Sequence, residues 1–377
     1  MTTPTPAYSP GLAGVIAGPT KVSKVDPTGD ELIYYGYKVS QLCEQSNFEE
    51  VSYLLLYGSL PKKTELEKFN QILKKERSVP KEILDYLCKM PKEAHYMDIL
   101  RSAVSLFAHF DPDCEDNSHE AEIRKTIRLL SKVPTVLAAR VRANRGKKPV
   151  TPHASLGHAA NFLYMVNGEE PDADFAKALD VSLICYAEHG FNASTFTARV
   201  CASTQSDMHS CLTGAIGSLK GPLHGGANEQ AMYMLQEIGT PAKAEKYIRE
   251  KLAKKEKIMG FGHRVYKKSD SRAPIVKKYG LKIAEKLGDK KWHEISDIVE
   301  RVMMDDKKLF PNVDFPAAPL YFLLGLPIEV DTPLFVVARI SGWAAHVMEQ
   351  RAENKLIRPA ALYQGPETRE FKTQSSR

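Results

Sequence analysis

The sequence predicts a mainly α-helical protein, and three observations carry that reading. Apolar residues recur at spacings of three and four over long stretches. Strand-like runs are few and lie near the N-terminus. Prolines and glycines punctuate the periodic stretches where helices would begin or end, at Pro61, Pro80, Pro91, Pro134, Pro171, Pro241, Pro274 and Pro311. A chain of 377 residues is long enough for a large core and two domains.

Taken in order, DELIYYGYKV predicts a short hairpin. In ADFAKALDVSLICYAEHG, Phe175, Leu179, Leu183 and Tyr186 share one helical face, and Gly190 reads as the stop signal just after His189. STFTARVCASTQSDMHSCLTGAIGSLKG is rich in small residues and predicts one buried helix or two abutting ones. HEISDIVERVMMDDKKLF repeats the pattern through Ile295, Ile298 or Val299, Val302 and Leu309. The final helix, DTPLFVVARISGWAAHVMEQRAENKLIRP, is expected to run until just before Pro359. The polar tail GPETREFKTQSSR is expected to be disordered or laid across a partner. No repeat of solenoid period stands out.

Composition narrows the function. With 43% hydrophobic and 26% charged residues, the chain is expected to be globular and soluble. A net charge of +6 is too mild to imply nucleic acid, but it suits anionic small molecules if the charges cluster. No apolar run reaches membrane-spanning length, and no basic residue precedes Lys21, so neither a membrane span nor a targeting peptide is expected and the cytoplasm is the expected compartment. Cys43, Cys88, Cys114, Cys185, Cys201 and Cys211 form no CxxC pair, which argues against a zinc site or a disulfide framework.

Four stretches place one titratable residue in a turn bounded by Gly, Pro or Asn. They are GPLHGGAN with His224, MGFGHRVYKKSDSR with His263, LFPNVDFPAA with Asp314, and YAEHGFNAST with His189. Loops on a rigid scaffold are where catalytic groups tend to sit. Each has a plainer reading. A lone histidine near a helix end is more often a satisfied cap or surface residue, and Asp314 taken alone reads as an N-cap. GFGHRV lacks the third glycine of a dinucleotide loop and no βαβ unit surrounds it. His189, His224 and His263 lack the spacing of a helical metal site, so no metal is expected.

Basic residues add a second signal. Lys251, Lys254, Lys255, Lys257, Arg264, Lys267, Lys268 and Arg272 surround His263, as a solvated helix face and charged loop or as the cradle of a phosphate-rich ligand. Arg339 stands inside the apolar run FVVARISGW, where a buried guanidinium calls for an anionic partner such as a substrate carboxylate. Arg358, before a proline, is ambiguous by itself.

YAEHGFNASTFTARV, GPLHGGANE, KIMGFGHRVY, PNVDF and SGWAAHVMEQR, in this order and spacing, closely resemble the citrate synthase family, and the likeness runs from GLAGVIAG to LIRPAALYQG. The resemblance implies an almost wholly helical fold with a large domain (residues 1–224 and 324–377) and a small domain (residues 225–323) that closes over the substrates. It implies an acyltransferase that condenses acetyl-CoA with oxaloacetate and water to citrate and CoA, the entry to the tricarboxylic acid cycle. It implies a homodimer or higher oligomer, and no cofactor beyond the coenzyme A that arrives with the substrate.

Carried over by motif position, Asp314 would take a proton from the acetyl methyl. His224 would donate to the thioester oxygen as enolate charge develops, and His263 would donate to the ketone oxygen of oxaloacetate. His189, Arg272 and Arg339 would hold oxaloacetate, with Arg358 reaching into a neighbouring subunit's site. Lys267, Lys268 and the Gly260-Phe261-Gly262 turn would face coenzyme A. A neutral His224 at a helix N-terminus would suit its role, because the helix dipole disfavours imidazolium there. Gly225 and Gly226, near the domain junction, are hinge candidates.

Two departures from the family pattern stand out. Asp-Pro-Arg reads Asp270-Ser271-Arg272, and the tyrosine-serine pair common after PNVD is replaced by Phe315-Pro316-Ala317-Ala318. The second bears on acyl preference, so 2-methylcitrate synthesis from propionyl-CoA is the nearest rival activity. One methylene is worth only about 1–3 kcal/mol in a hydrophobic pocket. A citrate-cleaving lyase and a non-catalytic scaffold or ligand sensor on the same fold are more distant alternatives.

Overall fold

A computed structural model describes residues 8–28, 31–262 and 265–376. The chain opens with a small antiparallel sheet, β1 (Ser23–Val25), β2 (Leu32–Tyr34) and β3 (Tyr37–Lys38), in spatial order 1-2-3. The expected hairpin is β2–β3; β1 is an added strand that pairs Ser23 with Tyr34 and Val25 with Leu32. The sheet is tied to the helical body through the Tyr34 hydroxyl, which donates to the carbonyls of Ile184 (3.1 Å) and Glu188 (2.9 Å).

Helices follow almost without interruption. The first six are α1 (Val39–Gln45), α2 (Phe48–Tyr57), α3 (Lys63–Lys75), α4 (Lys81–Cys88), α5 (Tyr96–Ala108) and α6 (His119–Asn144). Next come α7 (His158–Asn167), α8 (Ala173–Tyr186), α9 (Ala193–Ser203) and α10 (Met208–Leu219). The last six are α11 (Ala227–Ile238), α12 (Pro241–Ala253), α13 (Arg272–Leu287), α14 (Lys291–Lys307), α15 (Asp314–Leu323) and α16 (Asp331–Ala352). Many starts follow local chemistry. The side chains of Asn47, Ser118, Asp172, Asn192 and Asp207 each accept a hydrogen bond from a backbone N–H in the first turn of their helix.

Several expectations need correction. Pro134 does not end a helix: it lies buried inside the 26-residue α6. A mid-helix proline costs roughly 3 kcal/mol, and here the burial of nearly every residue from Ala121 to Val141 offsets that cost. Pro274 falls in the first turns of α13, where a missing N–H costs little. Helix α8 stops at Tyr186, before Gly190, because Glu188 is drawn into the core, as described below. Leu309 lies beyond α14, which ends at Lys307, with Lys308 in the left-handed conformation. The last helix ends at Ala352, before the predicted limit, and residues 353–358 leave it without regular secondary structure. The small-residue stretch forms the two-helix alternative, α9 and α10, packed closely together.

Helix α16 is the central strut. It contacts α2, α5, α6, α8, α9, α10 and α11, and it is buried along almost its whole length, with Trp343 fully enclosed. Around it, α11 and α13 pack on α15, α12 packs on α14, and α13 also rests on α8. Among the described residues, no helix is long and apolar enough to cross a membrane.

Candidate active site

The chain between α8 and α9 forms the floor of the site. Glu188 is fully buried there and accepts from Ser23 Oγ (2.9 Å), His346 Nε2 (2.9 Å) and the backbone N–H of Gly190. Burial alone would raise its pKa, but the His346 imidazole, Arg339 and the Ser23 hydroxyl together outweigh that and hold the carboxyl below its usual range. This anchor turns the chain after Tyr186, so that His189 faces Tyr266, 3.0 Å from Nε2 to the hydroxyl oxygen. Helix α9 then starts at the Asn192 cap and presents Ser194.

Ser194 receives His224. The Ser194 backbone N–H donates to His224 Nε2 (3.3 Å), Ser194 Oγ lies 2.9 Å from the same nitrogen, and Trp343 Nε1 donates to Ser194 Oγ (3.1 Å). A ring nitrogen that accepts carries no proton, so the neutral ring's hydrogen is on Nδ1. Burial and then the charge of Arg339 lower the His224 pKa to about 4. The imidazole is therefore neutral near pH 7. Helix α11 begins at Ala227, three residues after His224, and enclosure beside a guanidinium is the main cause of the lowered pKa. The glycine after His224 is sterically required. A Cβ on Gly225 would lie 2.5 Å from the Leu219 carbonyl oxygen, which accepts the Gly225 N–H.

Asp314 is placed by two loops that clasp each other. Gly262 N–H donates to the Phe310 carbonyl (3.1 Å), Asn312 N–H to the Gly260 carbonyl (2.9 Å), and Asn312 Nδ2 to the Gly262 carbonyl (3.0 Å). Asn312 Oδ1 in turn accepts from the Asp314 N–H (3.0 Å). The GFG and PNVD motifs are thus two halves of one clasp. Gly260 sits at φ +82° with Phe315 where a Cβ would go, and the rings of Phe261 and Phe315 pack 4.6 Å apart.

The plain N-cap reading of Asp314 fails, because Val313 occupies that position and no side chain caps α15. Instead the Asp314 carboxylate accepts from the Tyr186 hydroxyl (2.7 Å). Burial raises the Asp314 pKa to about 6; the Tyr186 hydrogen bond and Arg272 only partly oppose it. Burial and the adjacent Asp314 push the Tyr186 phenol far above its ordinary value, so it stays protonated and donates.

Phe335 joins the two halves. Its ring lies 4.7 Å from that of Tyr186 and 6.2 Å from that of His224, with the Arg339 guanidinium 4.6 Å away. Arg339 Nε donates to the Tyr186 carbonyl (2.6 Å), while its Nη1 is buried without a hydrogen-bond partner. Desolvation lowers its pKa, yet an arginine stays charged in a protein. An unpaired buried guanidinium edge is a receptor for an anion. Arg272 is buried beside it and held differently: Asp270 takes its Nε (2.9 Å) and Nη2 (2.8 Å). Burial works against the Arg272 charge, and Asp270 reverses that effect. Asp270 also accepts from the Val313 N–H (3.0 Å), so the residue before Asp314 and Arg272 share one anchor.

The structure thus gathers His224, Asp314, Arg339 and Arg272 around Tyr186 and Phe335, with His189 on the adjoining turn. His263 lies outside the described residues; its neighbour Gly262 is part of the clasp. Lys267 and Lys268 are exposed on the following loop, where the Lys267 N–H donates to the Pro27 carbonyl (2.8 Å). Arg358 does not join the site of its own chain. It is exposed, and Ile357 beside it bonds Ser203 at the far end of α9, about 15 Å along that helix from Ala193. Sequence reasoning did not assign roles to Tyr186, Ser194, Asp270, Glu188 or Phe335. The first four lie inside motifs already singled out, and Phe335 stands one helical turn before Arg339.

Comparison with known proteins agrees with this architecture. The family model described as citrate synthase, C-terminal domain, matches residues 11–360. The chain is 49% identical over 362 residues to citrate synthase 2 of Bacillus subtilis, covering 96% of this chain and 97% of that protein. It is 46% identical over 373 residues to a 2-methylcitrate synthase of Mycobacterium tuberculosis, covering 98% and 94%. A solved citrate synthase from Thermoplasma acidophilum, in ternary complex with carboxymethyl coenzyme A and oxaloacetate, matches with a TM-score of 0.93 at 32% identity, covering 98% of this chain and all of that one. The chain belongs to the citrate synthase family.

Proposed function

We propose that this protein is an acyltransferase-type condensing enzyme that joins acetyl-CoA to oxaloacetate, with water, to give citrate and free coenzyme A. One observation carries the reading: a carboxyl raised to about 6 and an imidazole lowered to about 4 meet around Tyr186 and Phe335, beside an unpaired buried guanidinium. Near pH 7 this leaves an ionised base of raised basicity and a neutral hydrogen-bond donor, which is what enolisation of a thioester needs.

In the proposed mechanism Asp314 removes a methyl proton from the acetyl thioester. Its closeness to neutral pKa makes it a stronger base than an ordinary carboxylate, and general base catalysis of this kind contributes about 10²–10⁴-fold. His224 donates from Nδ1 to the oxygen that gains enolate charge, worth roughly 10²–10³-fold in comparable sites. The enolate carbon attacks the ketone of oxaloacetate, whose new alkoxide takes a proton from His263. Water then cleaves the thioester and releases the thiol. Arg339, Arg272 and His189 hold oxaloacetate so that the two reactants meet in line, and orientation supplies much of the remaining acceleration.

Residues 1–224 with 324–377, and 225–323, act as the large and small domains, with Gly225 and Gly226 as the hinge that opens for product release. Lys267, Lys268 and the Gly260-Phe261-Gly262 turn bind coenzyme A. The working unit is a homodimer in which Arg358 reaches the neighbouring subunit. Its exposure supports this, as do the exposed Leu356, Leu362, Tyr363 and Phe371 of the C-terminal segment. All six cysteines are free, which supports a reducing, cytoplasmic setting.

Propionyl-CoA is the second acyl donor to test, favoured by the 46% identity to a 2-methylcitrate synthase. The experiment is thiol release from each acyl-CoA with and without oxaloacetate. Oxaloacetate-dependent release from acetyl-CoA at the higher kcat/KM supports the proposal. A higher kcat/KM with propionyl-CoA transfers it to 2-methylcitrate synthesis, and release from neither overturns it.

A further inference from the structure

We propose that Cys114, Asp207 and His209 form a binding site for a zinc-type divalent cation, remote from the condensation site. The three come from different parts of the chain. Cys114 lies on the loop between α5 and α6, Asp207 caps α10, and His209 is in its first turn. The fold brings one ligand atom from each within 4.8 Å of the others. Sulfur, imidazole nitrogen and carboxylate oxygen together are the donor set zinc prefers.

His209 is placed to serve as one of the ligands. The side chain is only 1% exposed, and each ring nitrogen faces a carboxylate at long range. Nδ1 lies 3.6 Å from Asp207 Oδ1 and Nε2 lies 3.3 Å from Asp111 Oδ2, both beyond a good N–H···O contact. A carboxylate behind the second nitrogen is the usual support of a metal-binding histidine. Asp111 is itself fixed, taking Arg128 Nε (2.8 Å) and Nη2 (2.5 Å).

The charges agree. Asp111, Asp113 and Asp207 face Arg124 and Arg128 in this knot, and with a neutral His209 these groups leave one net negative charge. A Cys114 thiolate would add a second, and a divalent cation would balance both. Zinc bonds of about 2.0–2.3 Å require the ligand atoms to draw in by roughly 1 Å. Cys114 is half-buried on the loop between α5 and α6; water would fill the fourth position.

The site would act as a staple. It lies at the α9–α10 turn, about one helix length from Ser194 and His224. The C-terminal segment is anchored at the same corner. Arg351 Nη1 donates to Asn117 Oδ1 (2.6 Å), and Asn354 Nδ2 donates to the Ser203 carbonyl (3.1 Å). A cation there would brace the segment that carries Arg358.

The test uses the full-length chain, stripped with a chelator and titrated with Zn²⁺ alone and with Co²⁺ alone. Wild type is expected to retain one zinc per chain in equilibrium dialysis, to melt at a higher temperature with zinc, and to show a thiolate-to-cobalt charge-transfer band. Cys114→Ser and His209→Gln should each weaken zinc binding at least tenfold, and Cys114→Ser should remove the cobalt band. Cys201→Ser should change none of these. Thiol release by metal-free Cys114→Ser should match that of metal-free wild type. No stoichiometric zinc in wild type, binding undiminished in Cys114→Ser, or binding lost in Cys201→Ser instead would each overturn the proposal. None of these readouts depends on the identity of the acyl donor.

Discussion

Replacing Asp314 with asparagine measures what the site costs the fold. Burial raises this carboxyl from 3.8 to about 6. That is roughly two units, and at 1.36 kcal/mol per unit the ionised form costs the folded state about 3 kcal/mol. Between pH ~4 and ~6 the folded chain holds a proton that the unfolded chain has released. Wild-type stability therefore falls as pH rises through that window, and the full penalty is present above it. Asparagine has nearly the same shape and still accepts from Tyr186, so Asp314→Asn removes the charge and keeps the geometry. Unfolding entropy of about 2.1 cal/mol/K per residue, over 377 residues, gives about 0.8 kcal/mol/K, so ~3 kcal/mol corresponds to roughly 4 °C. Thermal melts at matched protein concentration should place the variant about 4 °C above wild type at pH ~8 and level with it at pH ~4, while turnover falls about 10²–10⁴-fold. A variant no more stable than wild type at pH ~8, or equally favoured at both pH values, would refute the claim that Asp314 is an enclosed charged base.

Three further outcomes are expected. Tyr186→Phe removes a hydrogen bond that lowers the Asp314 pKa; the acid limb of kcat/KM, set by protonation of the base, should then move to higher pH, and an unmoved limb would separate Tyr186 from the base. Arg339→Gln leaves no guanidinium to meet an anion and should raise the KM for oxaloacetate at least tenfold, with little change in that for acetyl-CoA. Gly260→Ala puts a Cβ 2.7 Å from that of Phe315 at a φ of +82°; it should cost about 1–3 kcal/mol and lower the melting temperature. A melt identical to wild type would show that the clasp is not held by close packing.

The motifs made much of the candidate site legible, because glycine, proline and asparagine around a titratable residue shape backbone locally. GPLHGGAN reads as a turn that excludes a side chain, and Gly225 against Leu219 is that turn. What the motifs did not show was which loop meets which. The bonds of Asn312 to Gly260 and Gly262 join segments about 50 residues apart, and no local pattern encodes that pairing. Helix limits failed for a related reason. Pro134 and the residues after Ala352 depart from propensity because the surrounding packing, or its absence, decides there.

The sequence by itself determined that this is a helical protein, where most of its helices lie, and which turns carry histidine, aspartate or an enclosed arginine. These follow from spacing and backbone chemistry within a few residues. Only the tertiary structure decided that His224 is neutral, that Asp314 is a strengthened base bonded to Tyr186, and that Arg339 has an edge left open. Protonation depends on desolvation and on charges brought close in space, and both arise only when distant segments close around the same small volume.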